Sequence, residues 1–419
     1  MLRRLQLTIL GLVLLGTAFG TGEAFLFYLV YLSLLVVGGS YILTRLGLAD
    51  LEAGYAVGAL SGHVGDKLTV TYTVRNTSRI PKPWLEVHNP SSLPGGLPGR
   101  AIAVGGRTER SWLVRTPLDR RGHFRIEPLV IRTGDPFGLF ESSAAVGNGV
   151  TVVVYPRVEA LPLWRLPAAT VEGARSAPER SFHATPLVTT VRPYAPGDAM
   201  NRIHWPSTAR QGEIQVKEFE LEQTADLWIV LDLDRDCQVG RGDQSSVEVA
   251  VRAAASIADR ALRENRAVGI TVNARQLGQV PADRGSRQRL KIMQLLAAVS
   301  GDGAAPLVEA LIRTAPRIRH GMTTVVITGS QDPVWVRPLA TLRRKGISAV
   351  VVTLDQLAFR QAADSTGVHR SLAPALPATP ELAATLAQRS RALKHTLSEF
   401  RIASYTVVPG RDLGEQLVS

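Results

Sequence analysis

Apolar residues follow three different patterns along this chain. From Leu5 to Leu43 they are almost unbroken: the stretch holds one acidic residue, Glu23, and no Lys or Arg. At 1.5 Å per residue it makes roughly 58 Å of helix, about two crossings of a ~30 Å hydrocarbon core. Gly20-Thr-Gly-Glu23 supplies turn chemistry near the middle, so the pattern predicts a transmembrane helical hairpin, Leu5–Phe19 and Ala24–Leu43. Arg3 and Arg4 precede the first arm and Arg45 follows the second, which by the positive-inside rule puts both ends and the soluble remainder in the cytoplasm. A cleaved signal peptide ending near Gly22-Glu23-Ala24 is the rival reading, and the second apolar stretch argues against it. A single long anchor would reverse the side.

Over residues 55–165 the period changes to two. Lys67–Val74 alternates and is rich in β-branched residues, as in a half-buried strand, and Trp84–His88 reads as its partner. Further strand-like runs at Glu109–Arg115, His123–Arg132 and Val150–Tyr155 are separated by Gly and Pro. Short strands at this spacing predict an antiparallel, all-β sandwich of immunoglobulin-like type.

From Leu227 onward, continuous apolar runs alternate with helical spacing. Leu227–Asp234, Ala267–Val272, Thr323–Thr328 and Ala349–Leu354 read as strands buried on both faces, with Tyr405–Val408 as a last strand. Helices are predicted over Val247–Leu262, Gln288–Val299 and Val336–Lys345. Another starts after Thr379-Pro380, an N-cap followed by proline at the first helical position. This alternation predicts an α/β, doubly wound, mostly parallel sheet, whose ligands bind beyond the carboxyl ends of its strands. There the first strand ends in Asp232-Leu-Asp234-Arg-Asp236, three carboxylates able to offer hard oxygen ligands to Mg²⁺ or Ca²⁺; the plainer alternative is loop solvation and helix capping.

Between these regions, residues 166–185 read as a linker, followed by a dense polar cluster from Arg192 to Arg210. Pro196-Gly197 suits a type II turn, which places Asp198 as a helix N-cap, and Pro206 limits any first helical turn. Asp198, His204 and Ser207 invite a catalytic triad, but they lie within ten residues around a proline with no visible oxyanion loop. The expected arrangement is instead an ion-paired knot, Arg192, Arg202 and Arg210 around Asp198 with Trp205 packed beneath, structural or a docking surface. Glu213–Leu221 continues as a strand.

Composition narrows the chemistry. The lone cysteine, Cys237, excludes a disulfide framework and multi-cysteine metal sites. The 419 residues carry 48 Lys plus Arg and 36 Asp plus Glu, a net charge of +12, which raises anionic lipid or nucleic acid as partners. Eight of the arginines fall between Arg100 and Arg132, a phosphate or lipid-headgroup patch or, more plainly, a sheet's solvated face. They lack the aromatic interleaving that stacks bases, so nucleic acid is not expected. No dinucleotide fingerprint, Walker A loop, nucleophile elbow or His-Glu-x-x-His is present, so no catalytic residue is assigned.

The run Arg192, Tyr194, Gly197, Asp198, Arg202, Ile203, His204, Trp205, Thr208, Ala209, Arg210 resembles the signature of the domain of unknown function 58 family (DUF58). Asn76-Thr-Ser78, Pro83-Trp-Leu-Glu86, Arg121-Gly122, Asp135–Phe140 and Val154-Tyr-Pro-Arg157 are similar to that family as well. The resemblance implies an N-terminal membrane hairpin, a β-domain and a von Willebrand factor A-like domain. It also implies a role beside MoxR-type AAA+ ATPases, near which relatives are commonly encoded. The metal motif of von Willebrand A domains departs here, with Asp234 and Asp236 where serines belong and Thr328-Gly-Ser330 where Thr-Asp-Gly is common.

The expected division is a transmembrane hairpin over 1–45, a β-sandwich over 46–165, a linker with the signature motif over 166–224 and the α/β domain over 225–419. The expected function is a membrane-anchored cytoplasmic scaffold or adaptor, without enzymatic activity. Its binding face is placed around Asp232 and the Arg192–Arg210 motif. A hydrolase or cell-envelope enzyme using Asp198 and His204, and an anionic-lipid-binding module, are the alternatives.

Overall fold

The computed structural model describes residues 2–164, 188–195, 198, 200, 203–219, 226–365 and 379–418. The predicted linker 166–185 lies outside them. The chain forms two compact units, Met1–Val158 with Met293–Val299, and Glu159–Ile292 with Ser300–Ser419.

The first unit opens with two helices, α1 (Leu2–Thr21) and α2 (Ala24–Leu48). Gly22 adopts φ +71° between them, and Phe19 meets Phe27 edge to face at 5.3 Å. Among the described residues α2 is the one helix long and apolar enough to cross a membrane. Its last turns do not stand free. Ser40, Thr44 and Gly47 are buried, the Tyr41 and Phe140 rings meet at 5.7 Å, and the Lys82 ammonium donates to the Leu46 carbonyl.

Ten strands follow: β1 (Leu51–Val57), β2 (Ser61–His63), β3 (Lys67–Asn76), β4 (Lys82–His88), β5 (Arg100–Val104), β6 (Glu109–Pro117), β7 (Gly122–Ile126), β8 (Leu129–Gly134), β9 (Glu141–Val146) and β10 (Val150–Tyr155). They form sheets of order β1-β3-β6, β5-β4-β8-β9 and β2-β10-β7. One apolar cluster joins all three, with Val70 and Val74 from the first, Leu85 and Ile131 from the second, and Ile126 and Val152 from the third. Each such side chain contributes about 1.5–3 kcal/mol by leaving water.

Two strand expectations need correction. β4 does not pair with β3; it belongs to the other sheet, between β5 and β8. The buried Asn76 turns the chain over, donating to the carbonyls of Ile80 and Gly105 (both 2.9 Å) while its own oxygen accepts from Ser78 N–H. Pro81 and Pro83 cannot donate ladder bonds, which removes the tight-hairpin alternative. The run His123–Arg132 is two strands, broken at Glu127-Pro128, with β7 pairing β10 and β8 pairing β4. Seven of the eight arginines between Arg100 and Arg132 are exposed and only Arg121 is buried.

The second unit contains β11 (Val188–Pro193), α3 (Trp205–Gln211) and β12 (Gln215–Phe219). The sheet domain follows as β13 (Leu227–Asp232), α4 (Ser246–Arg263), β14 (Val268–Asn273), β15 (Leu277–Asp283), α5 (Gly285–Ala298), α6 (Leu307–Thr314), β16 (Thr323–Thr328), α7 (Val336–Arg344), β17 (Ser348–Leu354), α8 (Gln356–Ser365), α9 (Pro380–Glu399), β18 (Ala403–Val407) and α10 (Leu413–Gln416). The strand order is β15-β14-β13-β16-β17-β18, parallel except for β15. Every residue of β13, β14 and β16 is buried, which explains why these strands are largely apolar and carry no alternation. The antiparallel β15 was not anticipated; its burial fades outward along an edge strand. Thr379 caps α9 as expected, accepting the Leu382 N–H at 3.3 Å.

Candidate functional site

The sheet order reverses between β13 and β16, so the crevice beyond their carboxyl ends is the place where a doubly wound fold binds ligands. Asp232 ends β13 there, with no solvent exposure. Its Oδ2 accepts from Thr328 Oγ1 at 2.7 Å, from the end of β16. Its Oδ1 accepts from Asn273 Nδ2 at 3.1 Å, from the end of β14, and from Asp234 N–H at 3.2 Å. Burial raises the Asp232 pKa, against the opposing pull of the Thr328 and Asn273 hydrogen bonds. Asp232 therefore clasps three strand ends and cannot itself meet a partner.

The other two aspartates do separate work. Asp234 caps a single turn by accepting Asp236 N–H at 3.2 Å, and burial raises its pKa. Asp236 is exposed. Among the described residues no three His, Cys, Asp or Glu side chains form a group able to hold a metal ion. Of the expected Mg²⁺ or Ca²⁺ ligands, Asp232 is taken up by Thr328, Asn273 and Asp234 N–H, and Asp234 by Asp236 N–H.

Around the clasp, loops are stitched closely. Gly303 N–H donates to Leu233 O and Arg235 N–H to Gly303 O, each at 3.0 Å. A Cβ on Gly303 would come within 2.9 Å of backbone oxygens, so this crossing needs glycine. Gln356 Nε2 donates to the carbonyls of Cys237 and Gly329, at 2.5 and 2.9 Å. Burial pushes the Cys237 thiol up to about 12, and the Asp232 and Asp234 carboxylates add to the rise. A neutral thiol at physiological pH is neither nucleophile nor metal ligand. Asn273 and Gln356 were missed in the sequence; the one available signal for Asn273 was a polar residue ending an apolar strand.

The signature motif forms a small corner between β11 and β12. Arg192 grips Asp198 with both nitrogens, Nη1–Oδ2 and Nη2–Oδ1 at 2.8 Å, and Ala195 N–H donates to Oδ2 at 2.9 Å. Asp198 accordingly closes a turn rather than capping a helix. The helix starts later, at Trp205 with His204 as its N-cap residue, and Pro206 is accommodated within its first turn. His204 N–H donates to Gln215 O at 2.7 Å, and Thr208 Oγ1 both donates to His204 O and accepts from Gln215 N–H. The His204 ring Nδ1 lies 2.7 Å from Ser207 Oγ. The buried Ile203 pins the corner to Val216. Gly197 and Arg202 lie outside the described residues.

Trp205 corrects the expectation of an indole packed beneath the ion pair: it is 67% exposed. Tyr194, Met200 and Ile214 are exposed large hydrophobics on the same corner, and Arg210 is exposed on α3. Among the described residues, Arg192 and Asp198 of the expected knot are joined. α3 spans 7 residues and none of them is buried.

Residues 190–357 match the family described as "Protein of unknown function DUF58". The DUF58 match contains both the signature corner and the strand-end clasp. The chain is 26% identical over 292 residues to the uncharacterized protein YeaD of Bacillus subtilis (strain 168), covering 68% of this chain and 70% of that protein. It is 28% identical over 173 residues to an uncharacterized protein of Mycobacterium tuberculosis, 39% of this chain and 53% of that relative, so it spans about half of the latter's length. Among solved structures, the conserved hypothetical protein BatB from Bacteroides thetaiotaomicron aligns at 15% identity over 46% of this chain and 94% of its own. Its TM-score of 0.31 is too low to define the fold.

Proposed function

We propose that this chain is a membrane-anchored cytoplasmic adaptor that engages a MoxR-type AAA+ ATPase in complex assembly or maturation, through the exposed corner of its DUF58 region. In this reading α1 and α2 are a transmembrane hairpin, the β-strands of the first unit an immunoglobulin-like sandwich, and the sheet domain von Willebrand factor A-like. Supporting it are the two-residue connection between α1 and α2, the arginine flanks, and the strand order with one antiparallel member.

The observation that carries the reading is Trp205, largely exposed on a corner whose backbone is fixed by the Arg192–Asp198 pair. Tyr194, Met200 and Arg210 surround it in sequence, and Trp, Tyr, Met and Arg are the side chains enriched where protein partners bind. A corner that presents an indole to water gains nothing in stability from doing so. The hydrolase alternative lacks its acid, because the Asp198 carboxylate is held by Arg192 and Ala195 N–H rather than by His204.

The test is reconstitution of the full chain in vesicles with the MoxR-type ATPase of the same organism. Trp205→Ala combined with Arg210→Glu is expected to lower affinity by at least about tenfold, the effect of losing one interface hot spot. No association by the unaltered chain, or association indifferent to both changes, overturns the proposal. Alanine at Asp198 and His204 that abolishes function in cells while binding persists would favour the enzyme.

A further inference from the structure

The turn Asp135-Pro-Phe-Gly-Leu-Phe140 sits between β8 and β9 and is built rigidly. The buried Asp135 accepts Phe137 N–H at 2.9 Å and Phe140 N–H at 2.6 Å, while Gly138 N–H returns to Asp135 O at 3.1 Å. Gly138 takes the positive φ, +68°, that closing this turn requires. The result holds Phe137 outward, 65% exposed. A lone exposed phenylalanine is unremarkable by itself, so its surroundings decide what it is for.

The turn lies against α2. Phe140 meets Tyr41, Thr44 is buried beside it, and a Cβ on Gly47 would come within 2.7 Å of Thr133 in β8. Measured from Ala24, a ~30 Å hydrocarbon core takes about 20 residues of helix. That places the bilayer boundary at Tyr41–Leu43, the level at which Phe140 touches the helix. One turn further, Arg45 lies over the Tyr41 ring at 5.6 Å, a cation–aromatic pair suited to the headgroup layer. Trp84, 45% exposed, belongs to the same rim: its ring packs beside Gly134, the residue before the turn.

We propose that the Asp135–Phe140 turn is a second membrane contact, in which Phe137 enters the headgroup–acyl boundary of the bilayer that holds α2, with Trp84 and Tyr41 completing an interfacial aromatic rim. It rests on reading α2 as membrane-spanning. The partner is the lipid surface itself: apolar and amphipathic rings at headgroup depth, beside an arginine, match the chemistry of that layer. The device would fix the β-sheets against the membrane instead of leaving them to pivot on one helix.

The experiment uses the full chain with Cys237→Ala, reconstituted in phosphatidylcholine–phosphatidylglycerol vesicles, with a polarity-sensitive fluorophore on a single cysteine at position 34, 137 or 119. Leu34 lies within α2. Asp119 follows the end of β6 whose Pro117 pairs with Lys67, the sheet end opposite Leu51 and Asn76 and so opposite α2. The expected result is a blue-shifted signal at 34 and 137, quenched by brominated lipid and protected from iodide, with the reverse at 119. Quenching by lipid at 34 but by iodide at 137 overturns the proposal while leaving the anchor intact. Iodide quenching at 34 overturns the anchor, and the proposal with it. A Phe137→Asp variant that keeps 34 lipid-exposed should gain hydrogen exchange over Asp135–Phe140; no gain also counts against the contact.

Discussion

At the residue scale, the clearest result is that Asp232 works for the fold. Its position at a strand end was legible, since an apolar run that stops at a carboxylate marks the crevice of a doubly wound sheet. Its partners were not, because Thr328 lies 96 residues away and Asn273 41, and only the assembled sheet brings them within hydrogen-bond reach. The Arg192–Asp198 pair, six residues apart, was readable as a local ion pair, whereas the exposure of Trp205 depends on what fails to cover it. Asp232→Ala leaves three donors without this acceptor, the Asn273 and Thr328 ones buried, and is expected to cost about 2–4 kcal/mol of stability, while Asp232→Asn, which keeps an acceptor for Asn273, recovers most of it. Denaturant midpoints of the detergent-solubilised chain check this; equal losses for both would point to a role for the charge. Cys237 gives a pH test. Its thiol rises from 9.0 to about 12 in the fold, so between those values the unfolded chain releases a proton that the folded chain keeps, and stability falls as pH rises through that window. Below 9 no such loss occurs. Alkylation at pH 8 should be on the order of a hundredfold or more slower in the native chain than in urea, since the thiolate is the nucleophile.

At the scale of elements, periodicity located most strands and helices and failed in two physical situations. Strand partners were misassigned where the chain crosses between sheets, at Asn76–Pro81, because alternation reports which face is buried and not which neighbour covers it. The antiparallel β15 and the short α3 carry too few core residues to leave a periodic trace. Helix α2 shows the limit in another way: its hydropathy predicts lipid on every side, yet Ser40, Thr44 and Gly47 pack on protein. Small and hydroxylated residues at spacings of four and three were the available signal for that face. Two glycines of the same helix separate packing from propensity. A Cβ at Gly47 would sit 2.7 Å from Thr133 side-chain atoms, and at Gly38 it would meet nothing within 4 Å. Gly47→Val is therefore expected to cost about 1–3 kcal/mol through overpacking and to raise hydrogen exchange in β8 and β9, with Gly38→Val close to neutral. Similar behaviour of the two variants would mean that the docked face contributes little.

At the scale of the whole molecule, charge and composition describe the sum of unlike parts. An apolar helix pair, a β-unit with an arginine-rich exterior and a sheet domain with a largely apolar buried centre average to an unexceptional globular chain. The second helix is also packed into the β-unit. Lys82 is almost fully buried, donates to the Leu46 carbonyl near the end of α2, and has its pKa lowered by burial, so its environment is partly made by the helix. Thr133 and Phe140 also lie against α2. Removing residues 2–48 should therefore uncover this face of the β-unit and, on the proposed anchor reading, move the chain from the membrane to the soluble fraction. The expected hydrogen-exchange signature is faster exchange in β4, β8 and β9, which border α2. Protection in β13, β14 and β16 should be unchanged, because their neighbours on both sides belong to their own sheet. Unchanged exchange in β8 and β9 after truncation would show that α2 does not support the β-unit. A loss confined to those strands would show that α2 is also a part of that unit's core.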